Sequence, residues 1–320
     1  MRKQTMRKTT AAAVGLAFVL VLGTGAALAK EKYEEKFAKT ESLDRNGRVL
    51  VSNVSGRIEV RSWGEAQVKI DAVKTSQADS LEKAKENAAK VAIEVTKTGN
   101  ILRVETKYPD SKLFRHQNLN VSVDYVILVP DKAEVKVKNV SGSVDAQAVG
   151  GALEIDNTSG NVTVTNAGGG VDVLTTSGTL VASDLVGDAD LKTVSGRIKA
   201  ERVKGSVAAE TTSGSIELLE VSEARTVRAK VLSGNIGYSG DIIAGGKYSF
   251  EALSGTITVN LPASAAFDLD AETFSGGVQT DFPVTLSGVV SRKELRGTVG
   301  GGGATLRVKS FSGSVKIIKK

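Results

Sequence analysis

The sequence predicts an all-β protein: a single-stranded β-helix, or β-solenoid, with about 18 to 21 residues per rung and a small α+β cap at its N-terminal end. Three observations support this prediction. The dipeptide Ser-Gly returns every 18 residues over five copies, apolar and polar residues alternate after each copy, and a second glycine follows about nine residues after the first. The five copies begin at Ser141, Ser159, Ser177, Ser195 and Ser213.

Each 18-residue unit is expected to form two short strands and two corners. With the serine counted as position 1, positions 4, 6, 9, 13 and 15 are apolar in nearly every unit, and alternate residues of a strand face the same side. Position 4 is occupied by Val144, Val162, Leu180, Ile198 and Ile216. Glycines at the corners allow sharp bends. Since no rung buries its apolar face alone, neighbouring rungs must pair their strands about 4.8 Å apart.

Two related coil geometries fit the sequence less well. In a left-handed hexapeptide coil the apolar site returns about every six residues, but Gly150 and Asp156 follow Val144 at that spacing. A calcium-binding nonapeptide roll needs an aspartate in every half-turn, and only residues 168–173 resemble its motif. A single-stranded β-helix remains. The usual crossover preference favours a right-handed coil, although the sequence does not fix the hand.

Residues 1–29 are predicted to be a secretory signal peptide. A basic start is followed by an apolar run over residues 11–21 and by Ala27 and Ala29 in an A-x-A-like cleavage site. The alternative is a retained N-terminal membrane anchor, which the short apolar run disfavours because a helical span needs about 20 residues. We therefore expect an exported chain, on the cell surface, secreted or periplasmic, with no stable membrane span after cleavage.

Two segments are expected between the signal peptide and the repeats. Residues 30–44 form a charged leader, which is expected to be loosely ordered. Residues 45–132 form an N-terminal cap with one helix at about 79–90, where strong helix formers follow an N-cap at Ser76 or Asp79. The physical task of such a cap is to cover the apolar end of the solenoid and its open strand edge.

Residues 133–320 are assigned to the β-solenoid itself. Its later Ser-Gly copies are separated by insertions, which are expected to form loops; these copies begin at Ser233, Ser254, Ser275 and Ser312. An early copy at Ser55 stands 86 residues before the regular array, and it is expected to begin the cap.

Composition narrows the classes of function. The 320 residues include no cysteine and one histidine, and aromatic residues make up 4% of the chain. Without cysteine no disulfide can stabilise an exported chain, so stability must come from the stacked core. The signal peptide holds four of the 42 basic residues, which leaves 38 basic and 36 acidic groups in the mature chain. Because no basic stripe is interleaved with aromatic residues, nucleic acid is not an expected partner.

The sequence argues against an enzyme. Parallel β-helices elsewhere carry polysaccharide lyases and glycosidases that use clustered carboxylates, so a carbohydrate-active enzyme is one alternative. His116 is the only histidine, and it is interpreted as a solvated loop residue between two strands of the cap. Without cysteine or a second histidine, a catalytic zinc ion would need carboxylates alone, which zinc rarely accepts. We therefore predict no catalytic residue.

One electrostatic feature stands out among the repeats. The outward position 14 is acidic in three successive units, at Glu154, Asp172 and Asp190, which would stack at the spacing of neighbouring strands. Like charges so placed repel one another. In the favoured interpretation solvent, Lys192 and nearby cations relieve this repulsion, and no cofactor is expected. In the alternative the three carboxylates bind Ca²⁺, which accepts a shell made only of oxygen atoms.

A binding surface is expected where insertions interrupt the repeat, at residues 221–225, 237–246 and 261–290, with residues 267–290 as the best candidate. A rival surface is a strip of Ser and Thr hydroxyls at the corners that could meet a glycan, although such hydroxyls more often satisfy backbone groups. No repeated line of aromatic residues is expected. Trp63 and Tyr108 are assigned to the cap, and Tyr238 and Tyr248 are assigned to a late loop.

The serial order of these motifs resembles a known family. The VSGRIEV segment at Ser55, a helix-containing N-terminal part, residues 126–144 and the following Ser-Gly rungs are similar to the bacterial β-strand-repeat adhesins, over about residues 45–318. The resemblance implies a β-helical fold at the cell envelope and supplies no catalytic residues. We thus expect an exported, non-enzymatic adhesin scaffold that binds a cell-envelope or extracellular protein or glycan. A passive periplasmic structural or sensory module is a further alternative.

Overall fold

The computed structural model describes residues 30–109, 119–287 and 291–320. Among these residues the chain forms two long, open β-sheets of 13 and 14 strands and one α-helix. Side chains from both sheets meet in one continuous hydrophobic core. The prediction of an all-β fold is therefore confirmed. The predicted signal peptide and His116 lie outside the described residues, and the interpretations of both stay predictions.

The N-terminal part of the chain contributes seven strands and the helix. These are β1 (Glu31–Ser42), β2 (Arg48–Ser55), β3 (Ile58–Trp63), β4 (Gln67–Ala78), α1 (Leu81–Ala89), β5 (Ala92–Thr98), β6 (Ile101–Lys107) and β7 (Val121–Pro130). In the 13-stranded sheet, which we call the first sheet, β1, β4, β7 and β3 are neighbours in that order. In the 14-stranded second sheet, β5, β6 and β2 are neighbours. Three of these neighbouring pairs are antiparallel: β1 with β4, β4 with β7, and β5 with β6.

The charged segment after the predicted signal peptide is an ordered strand. β1 pairs with β4 along its entire length, from Glu31 opposite Ala78 to Ser42 opposite Gln67. The expectation of a loosely ordered leader is therefore wrong for this segment. Charged side chains are tolerated because β1 is the edge of the first sheet, where water solvates them and where charges oppose pairing with another molecule. Phe37 anchors the strand by packing against the core.

The helix is capped later in the sequence than predicted. Ser80 is the N-cap of α1, and its hydroxyl accepts a hydrogen bond from the backbone N–H of Lys83. The expected cap at Ser76 or Asp79 is wrong because β4 continues to Ala78, and Ser76 is paired there with Val121. The helix therefore starts at the first serine that is free of the strand ladder.

The regular repeats send strands alternately to the second sheet and the first sheet. These strands are β8 (Glu134–Ser141), β9 (Val144–Gln147), β10 (Leu153–Ser159), β11 (Val162–Thr165), β12 (Val171–Ser177), β13 (Leu180–Val186), β14 (Ala189–Ser195), β15 (Ile198–Lys204), β16 (Val207–Ser213), β17 (Ile216–Val221), β18 (Thr226–Ser233) and β19 (Ile236–Gly240). Neighbours in each sheet are parallel, and Leu153 lies opposite Val171. The side chains predicted to be apolar and inward-facing in the five units are all buried, as expected for a shared core.

The early Ser-Gly copy lies directly against the regular array. Ser55 of β2 is opposite Ser141 of β8, and Ile58 of β3 is opposite Val144 of β9, both in parallel pairs. The two serines are 86 residues apart in the sequence, but they lie in adjacent rungs of the structure. The intervening chain leaves this position to form β4 to β7 and α1, and it returns to start β8.

The C-terminal strands do not follow the chain order. They are β20 (Lys247–Ser254), β21 (Ile257–Leu261), β22 (Phe267–Ser275), β23 (Val278–Thr280), β24 (Thr285–Leu286), β25 (Glu294–Val299), β26 (Thr305–Ser312) and β27 (Val315–Lys319). In the second sheet β26 lies between β20 and β22, and in the first sheet β27 lies between β21 and β23. The last two strands of the chain are therefore an interior rung.

One corner of each repeat has a backbone conformation that the sequence does not indicate. The eighth residue of every unit has a positive φ near 55°, although none of these residues is glycine; they are Ala148, Asn166, Asp184, Arg202 and Glu220. A left-handed conformation costs a non-glycine residue about 1–2 kcal/mol, and asparagine tolerates it better than alanine. Each of the five units therefore holds at least one unfavourable backbone conformation.

Replacing the alanine of this series should stabilise the fold. Ala148, with a φ of 58°, is expected to gain about 0.5–1 kcal/mol of unfolding free energy when changed to Gly, since relief of the left-handed strain exceeds the added entropy of the unfolded chain. The matched control is Asn166→Ala, which places an alanine at the same position of the next unit and should lower the free energy of unfolding by a similar amount. Urea denaturation of both variants measures the difference. Equal stability of all three chains contradicts the explanation.

Candidate functional site

The residue that precedes each Ser-Gly corner faces outward from the second sheet. The strand alternates, so that the buried Val231 and Ala252 are followed by the exposed Leu232 and Leu253. In the order of the sheet from β2 to β22, this column reads Val54, Val140, Thr158, Thr176, Val194, Thr212, Leu232, Leu253, Phe311 and Phe274. The large side chains are therefore grouped at one end.

Four neighbouring side chains form what we call the apolar row: Leu232, Leu253, Phe311 and Phe274, on β18, β20, β26 and β22. Their exposed fractions are 50%, 50%, 54% and 66% respectively. The two aromatic members become neighbours only because β26 is inserted between β20 and β22. A contiguous exposed row of this size is a typical mark of an interaction site.

The two phenylalanines of the apolar row are stacked. The ring centroids of Phe274 and Phe311 are 4.8 Å apart, and the ring planes differ by 6°. Lys293 places its Nζ 5.6 Å from the centroid of the Phe274 ring, and it belongs to the segment next to β25, on the side of β22 away from β26. Phe311 thereby covers one face of the Phe274 ring, and Lys293 lies close to the same ring. The row offers methyl groups, ring edges and a partly covered aromatic surface.

A row of charged side chains runs beside the apolar row, two residues earlier in each strand. We call it the charged row: Lys230, Glu251, Lys309 and Glu272, on the same four strands. The signs alternate along it. Lys309 Nζ lies 2.6 Å from Glu272 Oε1. The two rows line a groove of about 1060 Å³, which Ser291, Lys293 and Glu294 border at the end of the sheet.

The three acidic residues predicted to stack are brought together. Glu154 of β10 is opposite Asp172 of β12, which is opposite Asp190 of β14. Lys136 is paired with Glu154, and Lys192 Nζ lies 2.6 Å from Asp190 Oδ2. Asp172 is thus the middle carboxylate between two that hold a lysine. Partial burial, followed by the nearby charge of Asp190, raises the pKa of Asp172 above its usual value.

This acidic column does not have the features of a metal centre. Within residues 30–109, 119–287 and 291–320 there is no group of three or more His, Cys, Asp or Glu side chains that could hold a metal ion. The lysine partners of Glu154 and Asp190 also compete for the oxygen atoms that a cation would need. The column is better suited to a solvated surface, and binding of Ca²⁺ there stays a prediction without a fitting set of ligands.

Neutralising the central carboxylate should stabilise the folded chain. Because the pKa of Asp172 is raised in the folded state, its ionisation lowers the free energy of unfolding at pH values above that pKa. This loss of stability disappears as the pH falls below the usual pKa of 3.8, where the carboxyl is protonated in both states. Asp172→Asn is expected to raise unfolding free energy at pH 7 by about 0.2–0.5 kcal/mol, the lower part of the range for like charges on a sheet, because solvent screens them. The gain should shrink with falling pH.

The matched control is Asp184→Asn, which removes a carboxylate whose pKa the hydrogen bond from Arg202 lowers, so this change should not stabilise the fold. Thermal melting with and without Ca²⁺ tests the calcium alternative at the same time. That alternative requires Ca²⁺ to raise the melting temperature of the unmutated chain and Asp172→Asn to remove the rise. No effect of Ca²⁺ on the unmutated chain ends the calcium hypothesis.

The family to which this architecture belongs follows from one comparison. The model of the family described as Toastrack DUF4097 matches residues 49–318. The chain belongs to the Toastrack family. The resemblance to an adhesin-like β-strand-repeat family is thereby confirmed, and the match includes the apolar row and every strand except β1 in full or in large part. None of the curated proteins matches the chain significantly.

Several solved structures are similar to this Toastrack chain at low identity. A "putative adhesin" from Bacteroides fragilis NCTC 9343 has 12% identity over 88% of this chain and 97% of its own, with a TM-score of 0.36. A "putative cell adhesion protein" from Clostridium sporogenes ATCC 15579 has 13% identity over 90% of this chain and 100% of its own, with a TM-score of 0.26.

A third similar structure is a "putative lipid binding protein" from Parabacteroides distasonis ATCC 8503. It has 12% identity over 89% of this chain and 96% of its own, with a TM-score of 0.26. With such low identities and TM-scores, these similarities add no argument about what this chain binds. In the described part of the Toastrack chain, no helix is long and apolar enough to cross a membrane.

The inserted segments of the Toastrack chain lie only partly in loops, and a binding surface at these segments stays a prediction. Most of residues 267–280 form strands β22 and β23, and residues 288–290 lie outside the described residues. Two of the insertions contact the glycine-rich segment before β26, where Gly245 N–H donates to the carbonyl of Gly303 and the backbone of Gly300 approaches Ala265. Of the predicted face, Glu272, Thr273 and Phe274 line the groove.

The two tyrosines assigned to a late loop are core residues. Tyr238 lies in β19 and Tyr248 in β20, and both are fully buried. Their hydroxyls donate hydrogen bonds to the carbonyls of Asp241 and Ala224 at 2.9 and 2.7 Å. The assignment to a loop is wrong because the alternation of buried and outward-facing residues continues through both residues.

At the first two regular corners, buried amides rather than serine hydroxyls support the Ser-Gly turn. Asn139 Nδ2 donates to the carbonyl of Gly142 at 3.1 Å, and Asn157 Nδ2 donates to the carbonyl of Gly160 at 3.0 Å. The serines themselves are exposed next to outward-facing residues such as Thr158. The hydroxyl strip is therefore present on the surface, but it faces the same side as the apolar row and continues it with smaller side chains.

Proposed function

We propose that this Toastrack chain is an exported, non-enzymatic binding scaffold at the cell envelope, an adhesin, and that the apolar row is its contact surface. The single observation that carries the proposal is the exposure of Leu232, Leu253, Phe311 and Phe274 in one contiguous row beside alternating charges. Binding of a partner over these side chains is favourable because it removes their apolar surface from water.

The chemistry of the groove favours a protein partner over a glycan. Sugar rings stack on open aromatic faces, whereas Phe274 and Phe311 already stack on each other and Lys293 lies close to the Phe274 ring. Ring edges and leucine methyl groups instead suit an apolar protein surface. The alternating charges beside them supply the polar rim that such interfaces have. An extracellular or envelope protein is therefore the proposed partner.

Finer features of the fold belong to the same proposal. Parallel pairs such as Leu153 with Val171 support a rung of 18 residues in a β-solenoid. The antiparallel strands β1 and β4 and the helix α1 support a cap that covers the N-terminal end. Such a scaffold holds the apolar row rigid, because each member sits on a strand that is paired on both sides.

Capture of the purified chain by intact cells of the host bacterium tests the proposal. The variant Phe274→Ser/Phe311→Ser should reduce capture by about 30-fold or more, as expected when buried anchor residues are lost. Val54→Ser/Val140→Ser is the matched control, since it removes apolar side chains from the same column at the far end of the sheet. Equal capture of both variants contradicts the proposal.

The host cells are used in two forms, with the gene for this chain intact and with it deleted, so that binding to another copy is separated from binding to a different partner. Protease treatment of intact cells tests location. Loss of the chain while a periplasmic control survives supports the cell surface, and protection supports the periplasm, where a structural or sensory module is the alternative. A carbohydrate-active enzyme requires polysaccharide cleavage that is lost on changing Asp172.

A further inference from the structure

We propose that the partner which covers the apolar row is a second copy of this chain, bound face to face about a two-fold axis that runs between β20 and β26. The inference rests on the proposed function, because it uses the same surface, and it adds the identity of the partner. It would make the scaffold homotypic: one chain would recognise another through identical side chains.

The order of the charges carries the inference. Across β18, β20, β26 and β22 the charged row reads Lys230, Glu251, Lys309 and Glu272, which is positive, negative, positive, negative. Reversal of this order gives negative, positive, negative, positive. If a second copy faces the first with its strand order reversed, each charge therefore faces one of opposite sign. Such a self-complementary pattern is what an isologous interface requires.

The same axis also matches the apolar row with itself. An axis that lies in the contact plane, parallel to the strands, keeps apolar row on apolar row and charged row on charged row while it reverses the order of the strands. Leu232 then faces Phe274 of the second copy, and Leu253 faces Phe311 of the second copy. Each contact joins an aliphatic residue to an aromatic residue, so the smaller side chains of one copy meet the larger ones of the other.

In each copy the matched region consists of these four strands and ends there. Beyond it Glu210 of β16 would face Glu294 of β25 in the second copy, and Lys293 stands beside that glutamate. The column also changes there from Leu232 to the smaller Thr212. The charge pattern thus selects this alignment over one shifted by a single strand. The shifted alignment would also leave an aromatic residue of the apolar row opposite Thr212.

Sedimentation of the purified residues 30–320 tests the inference, and the unmutated chain is expected to dimerise. Glu251→Lys alone places two lysines face to face twice in the dimer, and Lys309→Glu alone does the same with two glutamates. Each change should raise the dimer dissociation constant by about 100-fold or more. An equimolar mixture of the two variants should dimerise again, since lysine of one chain meets glutamate of the other at both places.

The mixture separates association from folding. Glu251 and Lys309 are also neighbours within one chain, and mixing the two variants restores only the contacts between chains. The double variant Glu251→Lys/Lys309→Glu should dimerise by itself. The variant Leu253→Ser, which changes no charge, should be monomeric. It keeps the test decisive if a single charge change prevents folding.

Two results overturn the inference: a monomeric unmutated chain, or single charge variants that stay monomeric when mixed. The proposed function is judged separately by cells that lack the gene. If the chain is monomeric but those cells still capture it through Phe274 and Phe311, another protein is the partner and only the homotypic inference fails. If neither kind of cell captures the chain and it is monomeric, the proposed function fails as well.

Discussion

Gly214→Ala is expected to destabilise the fold by about 3–5 kcal/mol, which is a large part of the stability of an ordinary domain. Gly214 has a φ of 139°, and a Cβ atom there would overlap the carbonyl oxygen of Gly196 in the neighbouring rung. An alanine side chain therefore meets both an unfavourable backbone conformation and a backbone atom that cannot rotate away. Relief requires the two rungs to move apart, which disrupts their strand pairing.

The same obstruction recurs up the ladder of corners, because Gly178 lies on the carbonyl of Gly160 and Gly160 on that of Gly142. Gly170→Ala is the matched control in the same array, since the nearest atom to its added Cβ is 3.9 Å away and its φ is not positive. The control should be neutral within about 0.5 kcal/mol or slightly stabilising. Urea denaturation measures both variants, and similar losses for the two would show that stacking at the Ser-Gly corner is not the cause.

Removal of residues 305–320 is expected to disorder far more than the end of the chain. These residues form β26 and β27, the interior rung between β20 and β22 and between β21 and β23. Leu306, Val308, Val315 and Ile317 are fully buried, and each buried side chain of this size contributes about 1.5–3 kcal/mol. Their loss also leaves β22 and β23 without the strands that join them to the array.

Hydrogen exchange checks this prediction strand by strand. The truncated chain should lose protection in β22 and β25 and gain exchange along the newly exposed edge of β20, while β10 to β16 remain protected, because each rung of a solenoid contacts only its neighbours. The full-length chain is the control. If β22 stays protected after truncation, it has paired directly with β20, and the interior position of β26 is not required for stability.

The repeat could be predicted from the sequence because two physical constraints act at the same positions in every unit. The corner glycines have no room for a side chain, as at Gly160, and the alternating positions such as Val162 and Val164 face the core. These constraints are local, so spacing reveals them. The ordered leader was missed because charge indicates solvent contact, and β1 satisfies that condition at a sheet edge while Phe37 anchors it.

The C-terminal strand order could not be predicted from the same constraints. The rungs at Ser254, Ser275 and Ser312 share the corner dipeptide and the inward alternation, so each is a suitable neighbour for either of the others. The choice depends on tertiary packing, which includes the stacking of Phe274 on Phe311. The left-handed corner at Ala148 was missed because alanine does not mark such a conformation in a sequence.

Part of the candidate site was visible in the sequence. The residue before each Ser-Gly is Val140 in the first regular repeat and becomes Leu232, Leu253, Phe274 and Phe311 in the last copies. That trend towards large apolar residues at an outward position could have identified the apolar row. Its contiguity could not, because Phe311 is adjacent to Leu253 only through the inserted rung.

Photo-crosslinking in living cells tests the central claim, that the apolar row is the contact surface, most directly. A photoreactive phenylalanine analogue is placed at Leu253 in the row, and in a second strain at Val140, which has a similar exposed fraction in the same column outside the row. We expect a discrete crosslinked product from position 253 and none from position 140, with the mass of two chains if the partner is a second copy. Crosslinking at position 140 alone, or at neither position, would contradict the claim.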